Sequence, residues 1–216
     1  ETFLFTSLAA WIGYYILAFG AFVGAGLTAF LVYRIASKNG RPNVTTMLLA
    51  GIAINAFAGA LTGLMTYMST EQQLRTITFW MLGSLGGATW DNLRALAPFI
   101  LIPMLILPFF GKSLNAFSLG ELQADLLGMR TDRVKRWVVV LSTLAVGASV
   151  AVSGIIGFVG LIVPHTVRLM GGADHRFVLP GSLLLGALVL TLADVIARVA
   201  VAPIELPIGC LLYTSD

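Results

Sequence analysis

The sequence predicts an all-α protein, a polytopic transmembrane helical bundle, and three observations point there. Hydrophobic residues make up 58% of the chain and charged residues 11%, far from the balance of a soluble domain. Mean hydropathy is +0.93. Residues 2–33, 42–70, 95–111, 137–167 and 177–193 carry no formal charge. A helix crossing the hydrocarbon core takes roughly 20 mostly apolar residues, so each run holds at least one span, the shorter ones with help from their flanks.

Taken in order, the first span covers 11–33 and ends at Arg34, Lys38 and Arg41, with Asn39-Gly40 and Pro42 marking a tight loop. The second begins near Val44 and ends near Tyr67. A third lies between Asn92 and Phe110 and leads into Lys112, Arg130, Arg133, Lys135 and Arg136. Two crossings separate these basic clusters, so both fall on one side, the cytoplasm by the positive-inside rule, and residues 71–94 face outward. The run 137–170 is too long for one comfortable crossing and is broken by Gly154, Gly157, Gly160 and Pro164. It reads as one full span and a short glycine-rich return, which brings Arg168, His175 and Arg176 back to the cytoplasm and lets 177–199 cross outward. The alternative, one long tilted helix, would put those basic residues outside. Small residues at helical spacing, Gly20 with Gly24 and Gly59 with Gly63, are placed to let helices approach closely in lipid, either in ordinary helix packing, the commoner case, or at a dimer contact.

A net charge of +3 and a pI near 9.3 are compatible with nucleic-acid binding, but the basic residues sit in short clusters between apolar runs, a pattern of membrane orientation. Cys210 is the single cysteine, which excludes an internal disulfide framework and a CxxC metal site. No basic stretch precedes the first apolar run, so the chain does not open as a signal peptide does, and it is expected to begin inside a larger protein.

Chemistry-bearing motifs are few. Gly111-Lys112-Ser113 resembles the end of a phosphate-binding loop, but Ile106 stands where its first glycine belongs and a membrane span precedes it instead of a strand. A nucleotide, if one drives this protein, must bind another chain. HExxH, GxSxG and Cys/His clusters are absent. His165, one residue after Pro164 on an apolar stretch, is either a packed, hydrogen-bonded side chain or an intramembrane ligand or relay. His175 lies in a polar loop with Asp174 and Arg176 and reads as solvated or loop-ordering. Asp194 and Arg198 stand four apart near the outer end of the last span, within reach on one helix face. They are either a mutual ion pair or an exposed cation for an acidic partner. Leu119 to Gly128 is short, amphipathic and cytoplasmic, with Gly128 available for a helix-ending turn. It is either a stiff element that receives force from a soluble motor or an interfacial helix on lipid headgroups.

Several runs resemble the FecCD/cobalamin-type permease family of ABC importers, which serves iron-siderophore complexes, heme and cobalamin. They are Leu-Leu-Ala-Gly at 48–51, Leu-Gly-Glu-x-x-Ala-x-x-Leu-Gly at 119–128, Gly-x-Ile-Gly-Phe-Val-Gly-Leu-Ile-Val-Pro-His at 154–165, Asp174-His175-Arg176, Leu179-Pro180, Ala193-Asp194-x-x-Ala197-Arg198 and Glu205-Leu206-Pro207-Ile208-Gly209. The resemblance implies a ten-span permease of which this chain is a fragment, about spans four to nine. Residues 1–209 would be its transmembrane domain and 210–216 an atypical tail that departs from the family pattern.

It further implies a homodimer in the bacterial inner membrane around a central pathway. Two cytoplasmic ATPases would use ATP and Mg, no cofactor would be held by this chain, and an external binding protein would deliver the chelate. On this basis Leu119, Gly120, Glu121, Ala124, Leu127 and Gly128 belong to the element that seats in the ATPase, and Arg198 docks a glutamate of the binding protein. Val44 and Thr45 align with the cytoplasmic gate, where the family example has a hydroxyl residue at the position of Val44. The outer segment from Gln73 to Gly87 looks closest to heme permeases. Met65, Tyr67 and Met68 are candidate lining residues, since an aromatic and methionine wall with little fixed charge suits a large, flat, mostly apolar chelate.

Overall fold

The computed structural model describes residues 2–38 and 41–200, with side chains over 19–37 and 42–199. The loop tip Asn39-Gly40, the 205–209 motif and the tail 210–216 lie outside the described residues. Apart from a two-residue antiparallel pairing of Ser37–Lys38 (β1) with Arg41–Pro42 (β2), every regular element described is helical. The helices are α1 (Thr2–Ala36), α2 (Val44–Tyr67), α3 (Glu71–Leu82), α4 (Trp90–Ile106), α5 (Gly111–Ser118), α6 (Glu121–Leu126), α7 (Thr131–Ser153), α8 (Val159–Gly171) and α9 (His175–Ala200), with a 3-10 turn at Leu107–Phe110 joining α4 to α5. Among the described residues five stretches are long and apolar enough to cross a membrane: Phe19–Ala36, Val44–Tyr67, Trp90–Ser118, Thr131–Ser153 and His175–Val199.

The expected spans are all present. α2 starts where Asn43 supplies a cap, its Oδ1 accepting from the Thr46 N–H at 3.2 Å, one of the orphan donors of a helix start. α1 runs on past Arg34, so the helix end is set by the β1–β2 turn and not by the first charge. Two helices go beyond the expected elements: α5, directly after the third span, and α3 in the segment 71–94, whose start is fastened by the Thr70 N–H donating to Gln73 Oε1 at 3.0 Å.

The fold-back of 137–170 is also present, and the long tilted helix is not. α7 ends at Gly154, whose φ of +69° and ψ of −164° suit glycine. Irregular backbone at this depth needs protein partners in place of water. It finds them on the end of α3: the Ile155 N–H donates to the Trp80 carbonyl at 3.2 Å and the Ser84 N–H to the Ser153 carbonyl at 2.8 Å. α8 then returns, and its turn into α9 meets α5, because Asn115 Nδ2 donates to Asp174 Oδ1 at 2.6 Å. Arg168, His175 and Arg176 therefore share the end of the bundle that carries Lys112, as the charge pattern requires.

α1 packs on α2 and α7, α4 on α7, α8 on α9, and α5 on α6 and α9. Among the described residues the buried apolar side chains of the core are mostly small: Ala36, Ala50, Ala124, Ala148, Ala151, Ala193 and Ala197, with Leu141, Val163, Val167 and Val178. Close backbone approach of this kind replaces the hydrophobic effect where lipid is the solvent. The glycine pairs expected to seat crossings do not do so here, since Gly20, Gly24, Gly59 and Gly63 have nothing within 4 Å of where a Cβ would stand. They lie on faces turned away from this chain's own helices. Close crossings are found at Gly147, where a Cβ would stand 3.1 Å from that of Ala25, and at Gly181, where it would stand 2.9 Å from Val167 Cγ1.

Candidate coupling and gate sites

α6 is a six-residue helix between two glycines in left-handed backbone, Gly120 at φ +115° and Gly128 at φ +77°. The first breaks the chain out of α5. The second ends α6, its N–H donating to the Asp125 carbonyl at 2.9 Å, and both conformations are strained for residues with a Cβ. One side of the segment faces the bundle: Ala124 is fully buried, and Asp125 Oδ1 accepts from Thr131 Oγ1 at 2.5 Å. The other side presents Leu119, Leu122, Leu126 and Leu127, all exposed, with Leu126 at 81%. A short stub with an apolar outer face offers a surface to a partner protein or to lipid.

Glu121 forms an ion pair with Lys135 near the start of α7. The lysine is buried to 8% exposure, and its Nζ also donates to the Pro42 carbonyl at 2.9 Å and lies 5.9 Å from the centre of the Phe117 ring. Pro42 is fully buried and directly precedes Asn43, the cap of α2. Val44 and Thr45 follow in the first turn of α2, both exposed. The structure thus brings the candidate coupling element and the candidate gate residues to one end of the bundle and places a single buried cation between their supports. In the sequence Lys135 is one member of a basic cluster, and its burial follows only from the packing around α7.

A second polar cluster holds the neighbouring turn. The Asn115 amide donates to Asp174 and its Oδ1 accepts from the His175 N–H at 2.8 Å, with His175 Nδ1 at the same distance. Asp174 Oδ1 also accepts from the Arg176 N–H at 2.8 Å. These donors, Asn115 foremost, hold the Asp174 carboxyl below its ordinary range. His175 is therefore loop-ordering, as its setting implied, and Asn115 is a partner that spacing did not reveal.

At the opposite end, Met65 and Met68 line a concavity of about 730 Å³ with Gln72, Gln73, Thr76 and Ile77 of α3. Tyr67 is 89% exposed and is not among the lining residues. The wall is more polar than the aromatic and methionine surface expected. Arg198 Nε donates to Asp194 Oδ2 at 2.8 Å, the intrahelical pair their spacing allows, with half of the arginine side chain exposed. His165 is exposed on α8, beside the buried Val163 and Val167. Among the described residues no three His, Cys, Asp or Glu side chains are grouped to hold a metal ion.

Residues 2–214 match a model described as the FecCD transport family. The hemin transport system permease protein of Yersinia pestis is 44% identical over 192 residues, covering 89% of this chain and 57% of that protein. The cobalamin import system permease protein of Halobacterium salinarum is 38% identical over 191 residues, 88% of this chain and 51% of that one. The chain thus spans a little over half the length of these relatives. A solved structure described as an inward-facing conformation of a metal-chelate type ABC transporter superposes with a TM-score of 0.78 at 32% identity, over 90% of this chain and 68% of that one.

Proposed function

The chain belongs to the FecCD transport family, and from that premise we propose that it is part of the membrane-spanning permease subunit of a binding-protein-dependent ABC importer that brings heme into the cytoplasm. The observation that carries this reading is α6. A short helix, fixed between glycines and held inward by Ala124, presents exposed leucines on the end of the bundle where the basic residues gather. That is the surface a soluble ATPase needs in order to push on a membrane partner. In this reading the chain performs no catalysis and holds no cofactor. ATP and Mg are used in a cytoplasmic ATPase dimer, and two copies of the permease enclose the pathway in a bacterial inner membrane.

Transport follows alternating access. Movement of the ATPases displaces α6, the first turn of α2 with Val44 and Thr45 opens or closes the cytoplasmic exit, and Arg198 receives the binding protein on the outer face. Heme is supported by the 44% identity to a hemin permease and by the resemblance of the segment from Gln73 to Gly87 to heme permeases. A second reading, the same role for cobalamin, is supported by the 38% identity to a cobalamin permease; a ferric siderophore is a third chelate of the same class.

The test uses the full-length permease assembled with its ATPase in nanodiscs, measuring ATP hydrolysis with the binding protein empty, heme-loaded, cobalamin-loaded or siderophore-loaded. Stimulation selective for the heme-loaded form is expected. Selective stimulation by another loaded form keeps the importer and changes its cargo, and no response to any of them sinks the importer reading.

A further inference from the structure

An ammonium group removed from water must recover its hydrogen bonds from the protein or remain at a large cost. Lys135 recovers them from two pieces of chain that lie far apart in sequence. One is Glu121, the first residue of α6; the other is the carbonyl of Pro42, two residues before Val44. The Phe117 ring on α5 closes the third side. Lys135 itself is anchored in α7, which packs on α1 and α4 and so does not move as a loop would. Its two acceptors are unequal. Glu121 is half-exposed on a stub at the surface of the bundle, whereas Pro42 is buried at the foot of α2.

We propose that Lys135 is a positioning residue that transmits displacement of α6 to the first turn of α2, through the Glu121–Lys135–Pro42 chain of contacts. Moving Glu121 away leaves a buried cation dependent on the Pro42 carbonyl, and moving the carbonyl away loads the ion pair. The two arrangements of α6 are thereby coupled to two arrangements of the Asn43 cap and of Val44 and Thr45. This inference rests on the reading of α6 as the ATPase-contacting element and of Val44–Thr45 as the gate.

The experiment places a reporter at the gate, Thr45→Cys in a background with every native cysteine, Cys210 included, replaced by Ser, in the full-length permease assembled with its ATPase in nanodiscs. The maleimide labelling rate is measured without nucleotide and after trapping with ATP and vanadate. In the parent the two rates are expected to differ about ten-fold, within the usual range of site-to-site coupling. In Lys135→Met, which keeps length and loses charge, the difference should fall below about two-fold while the ATPase still co-purifies and hydrolyses ATP, and Lys135→Arg should restore most of it. A role limited to packing would lower thermal stability and leave the nucleotide response at its parental size, and that result overturns the proposal. If the parent itself shows no response, the gate reading fails and the proposed link fails with it. Should Lys135→Met not assemble, Lys135→Gln, which keeps a donor for the Pro42 carbonyl but no charge, is judged by the same two limits.

Discussion

Gly154 lies so close to Trp80 that a Cβ built on it would stand 2.4 Å from the Trp80 carbonyl oxygen, and 3.2 Å from the Cα of Gly83. The contact joins the α7–α8 break to the end of α3 and gives irregular backbone its hydrogen-bond partners. Gly154→Ala must relieve both the clash and a backbone conformation that is nearly exclusive to glycine. We predict a loss of at least about 2 kcal/mol, from backbone strain together with a displaced hydrogen bond. Gly160, in α8, has nothing within 4 Å of a Cβ position, so Gly160→Ala should stay within about 0.5 kcal/mol of the parent. Unfolding free energies of the two variants in the same detergent are the measurement; equal losses would refute the account.

Gly128 offers the opposite case, φ +77° with open space around it. A Cβ at position 128 meets no atom within 4 Å, so the effect of Gly128→Val is chiefly conformational: about 1–2 kcal/mol against the left-handed turn that ends α6. That displaces Leu126 and Leu127, and we predict that ATP hydrolysis is uncoupled from transport, with substrate moved per ATP falling by roughly 5- to 30-fold. Gly128→Asn, which tolerates this backbone, should recover part of the ratio. Proteoliposomes of the full-length assembly supply the numbers, and an intact ratio in the valine variant would return α6 to an interfacial helix.

Asp174 titrates with a definite sign. Its carboxyl is held below the ordinary range by the Asn115 amide and the Arg176 N–H, so it stabilises the α8–α9 turn fully above the unfolded value of about 3.9 and loses that contribution as pH falls through the lower folded value. The melting temperature of the wild type should exceed that of Asp174→Asn at neutral pH, and the gap should close below about pH 4. A gap that persists unchanged in acid would mean that the charge does not matter.

Much of the bundle was legible because lipid imposes one strong rule, roughly 20 apolar residues per crossing, and because glycines announce where helices stop. Both ends of α2 and the break after Ser153 follow from these. α3 was missed although Thr70 and Gln73 stand three apart, a capping spacing, because the surrounding residues lack a long apolar run. In the site, Gly120 and Gly128 declare themselves, but Lys135 meets Pro42 across 93 residues and Asn115 meets Asp174 across 59. Contacts of that separation follow from the packing of α7 and α5, and no local spacing encodes them. Tyr67 shows the same limit: it lies one residue from Met68 and faces elsewhere.

Arg198 and Asp194 supply the last test, because the observed pair fits two roles that respond differently to charge reversal. Arg198→Glu changes the local charge by two and sets a second carboxylate beside Asp194. If this end receives an acidic patch of the binding protein, association should slow about ten-fold or more at low ionic strength. The difference should shrink as the screening length drops from about 10 Å at 0.1 M salt to about 3 Å at 1 M. Asp194→Asn should do the reverse and speed association, since it removes a competing anion and keeps the guanidinium. Association rates of the loaded binding protein to nanodisc-held permease, across a salt series, decide between the two roles. Unchanged rates in both variants would mean that the pair serves α9 alone, lowering the cost of two charges near the end of a membrane-spanning helix.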